Sequence, residues 1–130
     1  MSQMTWTTAQ QAAIDARGQN LLLSAAAGSG KTAVLTERIK KLITDMDDPA
    51  DITELLVLTF TRASAGEMKT RISSGIAKAL SEAEQEQNTP LVRHLSRQLA
   101  LMSSAQISTL DSFFQTLIRR YFYLINLDPN

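Results

Sequence analysis

Twelve residues near the N-terminus, Leu21 to Thr32 (LLLSAAAGSGKT), constrain this chain more than any others. Leu21, Leu22 and Leu23 form an apolar run too short for a helix and of the right length for a buried strand. Small residues follow, and then Gly28-Ser29-Gly30-Lys31-Thr32. Against the pattern G-x-x-x-x-G-K-[ST], only the first glycine is missing, replaced by Ala25. A loop that wraps a phosphate must turn its backbone N–H groups inward, and glycine permits the φ values and close approach this needs. The helix that follows presents free N–H groups and the positive end of its dipole to an anion. Ala25, Ala26, Ala27, Gly28, Ser29 and Gly30 would then form the cradle. Lys31 would reach the β- and γ-phosphates, and the Thr32 hydroxyl would hold Mg²⁺, so these two are the catalytic candidates and Thr32 the metal ligand. Val34, Leu35, Ile39, Leu42 and Ile43 recur behind the loop at helical spacing, completing a strand–loop–helix context. The bland alternative is a Gly/Ser turn that happens to carry a lysine.

The other segments alternate between helix and strand patterns. Thr7-Thr8-Ala9-Gln10 has the form of a capping box and predicts a helix running to about Ala16, with Gly18 and Asn20 ending it. Trp6, just before the cap, reads as a packing residue. The acidic stretch Asp45 to Asp51 reads as a solvated loop. Leu55 to Leu58 is a second buried-strand signal that ends in Thr59-Phe60-Thr61, and a helix from near Ala63 to about Leu80 carries Ala65, Met68, Ile72, Ile76 and Leu80 on one face. Two apolar strands separated by a helix make a βαβ unit and hence a parallel sheet. Ser81 to Thr89 either extends that helix or loops out. Pro90 suits the first turn of another helix, whose face is Leu91, Val92, Leu95, Leu99 and Met102. His94 lies in it with no acid or serine partner implied by spacing, which favours a surface or half-buried structural role. Ile107 to Leu110 reads as a short third strand. Thr109 or Asp111 then opens a last helix with a continuous face of Phe113, Phe114, Leu117, Ile118, Tyr121 and Phe122, patterned as core.

With 130 residues the chain is long enough for one domain with its own core. Lys plus Arg and Asp plus Glu each number 13, so any contact with nucleic acid has to be local. There is no cysteine, which excludes disulfides and thiolate metal sites and fits a reducing compartment. No run approaches the ~18 apolar residues of a membrane span, and the N-terminus lacks a basic-then-apolar leader pattern. A cytoplasmic location is expected.

Four segments together resemble the N-terminal part of a UvrD/RecB-type superfamily 1 DNA helicase. WTTAQQAAI is similar to the family segment that places an adenine-reading glutamine, which maps to Gln10. AAAGSGKT resembles its phosphate loop. LLVLTFTRASAGEMKTRI and ISTLDSFFQTLIRRYFYLINLDP resemble two segments that contact single-stranded DNA. The detail is most similar to the AddA (RexA) group of helicase–nuclease subunits. The resemblance implies a P-loop NTPase of α/β class, RecA-like, with a parallel sheet flanked by helices. Residues 1–130 would be the N-terminal part of the ATP-binding domain, an incomplete first motor domain. It implies ATP and Mg²⁺ as cofactors, and single-stranded and duplex-end DNA as substrate. It also implies 3′-to-5′ unwinding in double-strand-break repair, nuclease action in the parent protein and an AddB/RexB-type partner subunit. DNA contacts map to Thr59, Phe60, Thr61, Arg62, Thr109 and Ser112. Two positions depart from the family pattern. Arg62-Ala63 stands where many relatives have Asn-Lys, so the usual lysine contact is missing and Arg62 is expected to serve instead. Asp111 stands where many have histidine, and an acid beside a phosphate backbone is expected to cap the helix instead. Gln10 has a complete explanation as a cap, and without the family Phe60 would be read as core.

Phosphoryl transfer also needs an acidic strand end to organise Mg²⁺ and water, and a cationic finger. No apolar strand here ends in Asp-Glu; Ile107 to Asp111 is half polar and continues into serine. The chain by itself is therefore expected to be inactive. A stand-alone nucleotide-binding module without turnover and an unrelated P-loop kinase remain open.

Overall fold

The computed structural model describes residues 4–24, 26 and 30–126. Among the described residues five helices and two strands follow one another as α1 (Thr8–Asp15), α2 (Lys31–Thr44), β1 (Leu56–Thr59), α3 (Arg62–Gln85), α4 (Thr89–Leu101), β2 (Gln106–Thr109) and α5 (Leu110–Tyr121), with short 3₁₀ turns at Ile52–Glu54, Met102–Ser104 and Phe122–Leu124. The strands are parallel, paired from Leu56 with Gln106 to Thr59 with Thr109.

Capping chemistry sets most of the helix boundaries. Thr7 and Gln10 close a reciprocal capping box at α1, Thr61 caps α3, and Asn88 caps α4 ahead of Pro90 in its first turn. The long helix α3 packs against α2, α4 and both strands, and its period-matched side chains Met68, Ile72 and Ile76 meet Ile39, Ile43, Val57, Leu95 and Met102 in the main core. The polar tract after Leu80 extends α3 to Gln85 instead of looping out. Gly75 lets Lys40 of α2 pass close to α3, since a Cβ there would lie 3.3 Å from the lysine Cδ. A second, smaller cluster of Ala13, Ile14 and Val34, with Trp6 against it, joins α1 to α2.

Several expectations are corrected. Leu21 to Leu23 form no strand, and Leu22 is 92% exposed. A strand is stable only when its N–H and C=O groups meet a neighbour, and among the described residues nothing pairs with this run. The parallel crossover therefore lies one step later than the sequence suggests, between β1 and β2 through α3 and α4. Of the apolar run Leu55 to Leu58 only Val57 is buried. Strand residues alternate between faces, and the face carrying Leu56 and Leu58 is uncovered among the described residues. The aromatic face of α5 is not core: Phe114, Ile118 and Tyr121 are exposed and no residue of α5 is buried. Asp111 does not cap α5. Thr109 does, through its side-chain oxygen, and Asp111 lies in the first turn, where the dipole favours an acid.

The acidic connection is more than a solvated loop. Asp45 pairs with Arg17 at 2.9 Å. Asp51 caps the Ile52–Glu54 turn and accepts from Thr53 Oγ1 at 2.6 Å and from Thr53 N at 3.0 Å. These two bonds, with help from Gln98 and Arg97, hold its carboxyl below the ordinary value of 3.8. The folded state thus favours the carboxylate. Its contribution to stability is complete above the ordinary value and is lost as pH falls below it through the lower folded value. Asp51→Asn is expected to flatten the acid limb of a pH–stability curve in that window. An unchanged acid limb would show that Asp51 contributes nothing there.

Candidate functional site

Gly30 is the N-cap of α2 and has φ of +86°, the left-handed region that glycine enters without strain. Gly30 makes no side-chain cap, and Lys31 and Thr32 open the helix with both residues exposed. Ala25, Ala27, Gly28 and Ser29 lie outside the described residues. Ala26 is exposed. A cavity of about 220 Å³ adjoins this end of α2, lined by Thr7, Gln10, Leu23, Ser24, Lys31 and Val34. Gln10 serves as the cap that the sequence suggests: its Oε1 accepts from Thr7 N at 2.9 Å, while Thr7 Oγ1 accepts from Gln10 N at 3.2 Å. Its Nε2 lies 3.5 Å from where a Cβ on Gly30 would be, so one amide spans the cap of α1 and the start of α2. Among the described residues no three His, Cys, Asp or Glu side chains cluster as a metal site.

The second group of candidates gathers at the carboxyl ends of the strands, the edge where ligands collect in open parallel sheets. The pairing of Thr59 with Thr109 brings the two strand-to-helix turns side by side. Phe60, Arg62, Thr109, Asp111, Ser112 and Gln115 line a cleft there of about 270 Å³. Phe60 is 95% exposed, which excludes the core reading that its chemistry alone would favour. The hydroxyls are largely committed to the turns. Thr59 Oγ1 donates to Thr61 O at 3.0 Å, and Thr61 Oγ1 accepts from Ser64 N at 3.1 Å. Thr109 is buried, accepts from Ser112 N at 3.1 Å and donates to Ser112 Oγ at 2.9 Å. Ser112 Oγ, as the acceptor of that bond, keeps its own hydrogen to donate. Ser64 accepts from Thr61 Oγ1 in the same way at 2.7 Å. Asp111 and Gln115 line the cleft and are not among the expected site residues; the same Thr-x-x-Ser cap closes both turns, Thr61 with Ser64 and Thr109 with Ser112. His94 has the structural role expected, its Nε2 donating to Ile43 O at 2.8 Å.

Sequence comparison adds an independent line. Residues 6–130 match the UvrD/REP helicase N-terminal domain. The chain is 53% identical over its full length to a Clostridium novyi protein named as a subunit of an ATP-dependent helicase/nuclease. It is 54% identical over 96% of its length to the protein of the same name in Bacillus licheniformis, and 54% over 99% to the one in Desulfitobacterium hafniense. It spans about a tenth of the length of these curated relatives. Two matched strand-to-helix turns at one sheet edge, a glycine-led helix beside Gln10 and a family match over nearly the whole chain agree. The chain belongs to the UvrD/REP helicase family and carries sequence of its N-terminal domain.

Proposed function

We propose that this chain is the ATP-binding, single-strand-contacting start of an ATP-dependent 3′-to-5′ helicase/nuclease that works in the cytoplasm on duplex ends during double-strand-break repair, with an AddB/RexB-type partner. In this reading residues 1–130 belong to a RecA-like P-loop domain. Lys31 carries positive charge to the β- and γ-phosphates and Thr32 offers its hydroxyl to Mg²⁺, the ion that would neutralise developing phosphate charge. Ala25 to Gly30 wrap the phosphates, and Gln10 faces the adenine. For that last role the Gln10 amide must leave its cap on Thr7, so nucleotide binding exchanges one hydrogen bond of α1 for contacts to the base.

One observation carries the DNA half of the reading: the exposed ring of Phe60 at the mouth of a cleft that Arg62 and Ser112 also line. An aromatic face stacks any base without reading sequence, and a guanidinium beside a hydroxyl suits a phosphate. Phe60→Ala is expected to weaken binding of a short oligo-dT by about 1–3 kcal/mol. Its fold should be untouched, because the ring packs against nothing that it would leave empty. Fluorescence anisotropy reads the binding, and equal affinity of variant and wild type would remove Phe60 from the DNA surface. Lys31→Ala tests the nucleotide half. It should abolish Mg²⁺–ATP binding, and DNA-stimulated hydrolysis should be negligible in this chain with or without the substitution. Robust hydrolysis that is lost on substitution would refute the view that this chain alone does not turn over.

A further inference from the structure

Arg38 sits two turns into α2 and has no part in the sequence motifs. Its Nη1 donates to the carbonyl oxygens of Ala13 at 2.7 Å and Ala16 at 2.5 Å. Both lie at the carboxyl end of α1, where a helix leaves acceptors that it cannot satisfy itself. Gly30, Val34 and Arg38 follow one another at i, i+4 and i+8, a spacing that puts them on one face of α2. Each meets α1 in turn: Gly30 lies under Gln10, Val34 packs on Ala13 and Ile14, and Arg38 holds Ala13 and Ala16. The two helices therefore run side by side in one direction. Lys41 continues the line with an ion pair to Asp15, and Arg17 pairs with Asp45 just beyond α2.

We propose that Arg38 is a positioning residue for base recognition: by clamping the carboxyl end of α1 it sets where Gln10, at the other end, stands over the start of α2. The inference rests on the nucleotide reading above and extends it to a residue that touches neither phosphate nor base. The separation of the two apolar clusters gives it its physical content. Ile39 and Ile43 root α2 in the main core, so the placing of Lys31 and Thr32 rests mainly on α2 and less on α1. Among the described residues the apolar cluster that joins α1 to α2 is small, Ala13, Ile14 and Val34 with Trp6 against it, so the polar clamp carries much of the work of fixing the tilt of α1. Loosening Arg38 should therefore cost recognition of the base and spare recognition of the phosphates.

The test compares Mg²⁺–ATP with Mg²⁺–tripolyphosphate, which has the phosphates and no base, by titration calorimetry on the 130-residue chain. Arg38→Ala is expected to weaken ATP roughly tenfold and tripolyphosphate less than about twofold. Arg38→Lys, which keeps a donor for both carbonyls, should recover most of the ATP affinity. Added to Gln10→Ala, Arg38→Ala should cause no further loss, as expected of two residues acting through one contact. Trp6, the only tryptophan, reports docking of α1 by its emission, which should shift in Arg38→Ala and return in Arg38→Lys. Equal losses of both probes in Arg38→Lys, unchanged ATP affinity in Arg38→Ala, or additive losses with Gln10→Ala would each overturn the proposal. A wild-type chain that binds neither probe, or a Lys31→Ala chain that binds tripolyphosphate as well as wild type, overturns the nucleotide reading and the proposal with it.

Discussion

Ile72→Ala is expected to cost this chain about 2–5 kcal/mol of folding stability. Ile72 is fully buried at the middle of α3, where that helix meets α2, α4 and the sheet. Truncating it removes burial of three carbon atoms and leaves a void walled by elements that cannot close in together, since each is held by different neighbours. Domains of this size have a total stability of only ~5–15 kcal/mol, so the loss is a large share of it. Urea unfolding followed by circular dichroism measures it as a lower midpoint at constant slope. Ile118→Ala on α5 is the contrasting variant. Ile118 is 41% exposed, and its truncation should cost well under half as much. Equal losses at the two positions would mean that the packing described around α3 is wrong.

Gln98→Leu should cost about 1–3 kcal/mol although leucine fits the volume and the apolar face of α4. Gln98 is fully buried, and its Oε1 accepts from Ile52 N at 2.7 Å. Its Nε2 donates to Asp51 Oδ2 at 3.3 Å. Leucine would leave the Ile52 amide buried without an acceptor, and the cost of an unsatisfied buried donor exceeds what a buried methyl group returns. The same variant removes one of the bonds that depress the Asp51 carboxyl, so its stability deficit should shrink as pH falls below the ordinary carboxylate value of 3.8 and Asp51 becomes protonated in both chains. A deficit that stays constant across that range would uncouple the two residues. Gln98 therefore anchors the turn that leads into β1, and through it the placing of Thr59 and Phe60.

Gln98 and Arg38 share a pattern that sequence carries only faintly. Each is a polar side chain on the apolar stripe of its helix, Gln98 three residues from Leu95 and Arg38 four from Val34. Periodicity marks such positions as exceptions and cannot name the partner, because Ile52 lies 46 residues from Gln98 and Ala13 lies 25 from Arg38. Short-range chemistry was far more legible. The Thr7–Gln10 box, Pro90 in the first turn of α4 and the glycine at the start of α2 each follow from a few neighbouring residues, and each appears where the pattern puts it. The apolar runs misled in both directions. Leu21 to Leu23 and the α5 face look like core because side-chain chemistry reports what could be buried, whereas burial requires a partner surface.

By itself, then, the sequence determined that these helices form, where most of them begin, and the family. Those properties depend on contacts within a few residues or on motif order. The tertiary structure alone decided that the parallel pair is β1 with β2, that Phe60 faces solvent at a cleft with Arg62 and Ser112, and that Arg38 and Gln98 hold their neighbours' backbones. Each of these depends on groups far apart in the chain meeting at hydrogen-bonding distance, which no local pattern of residues encodes.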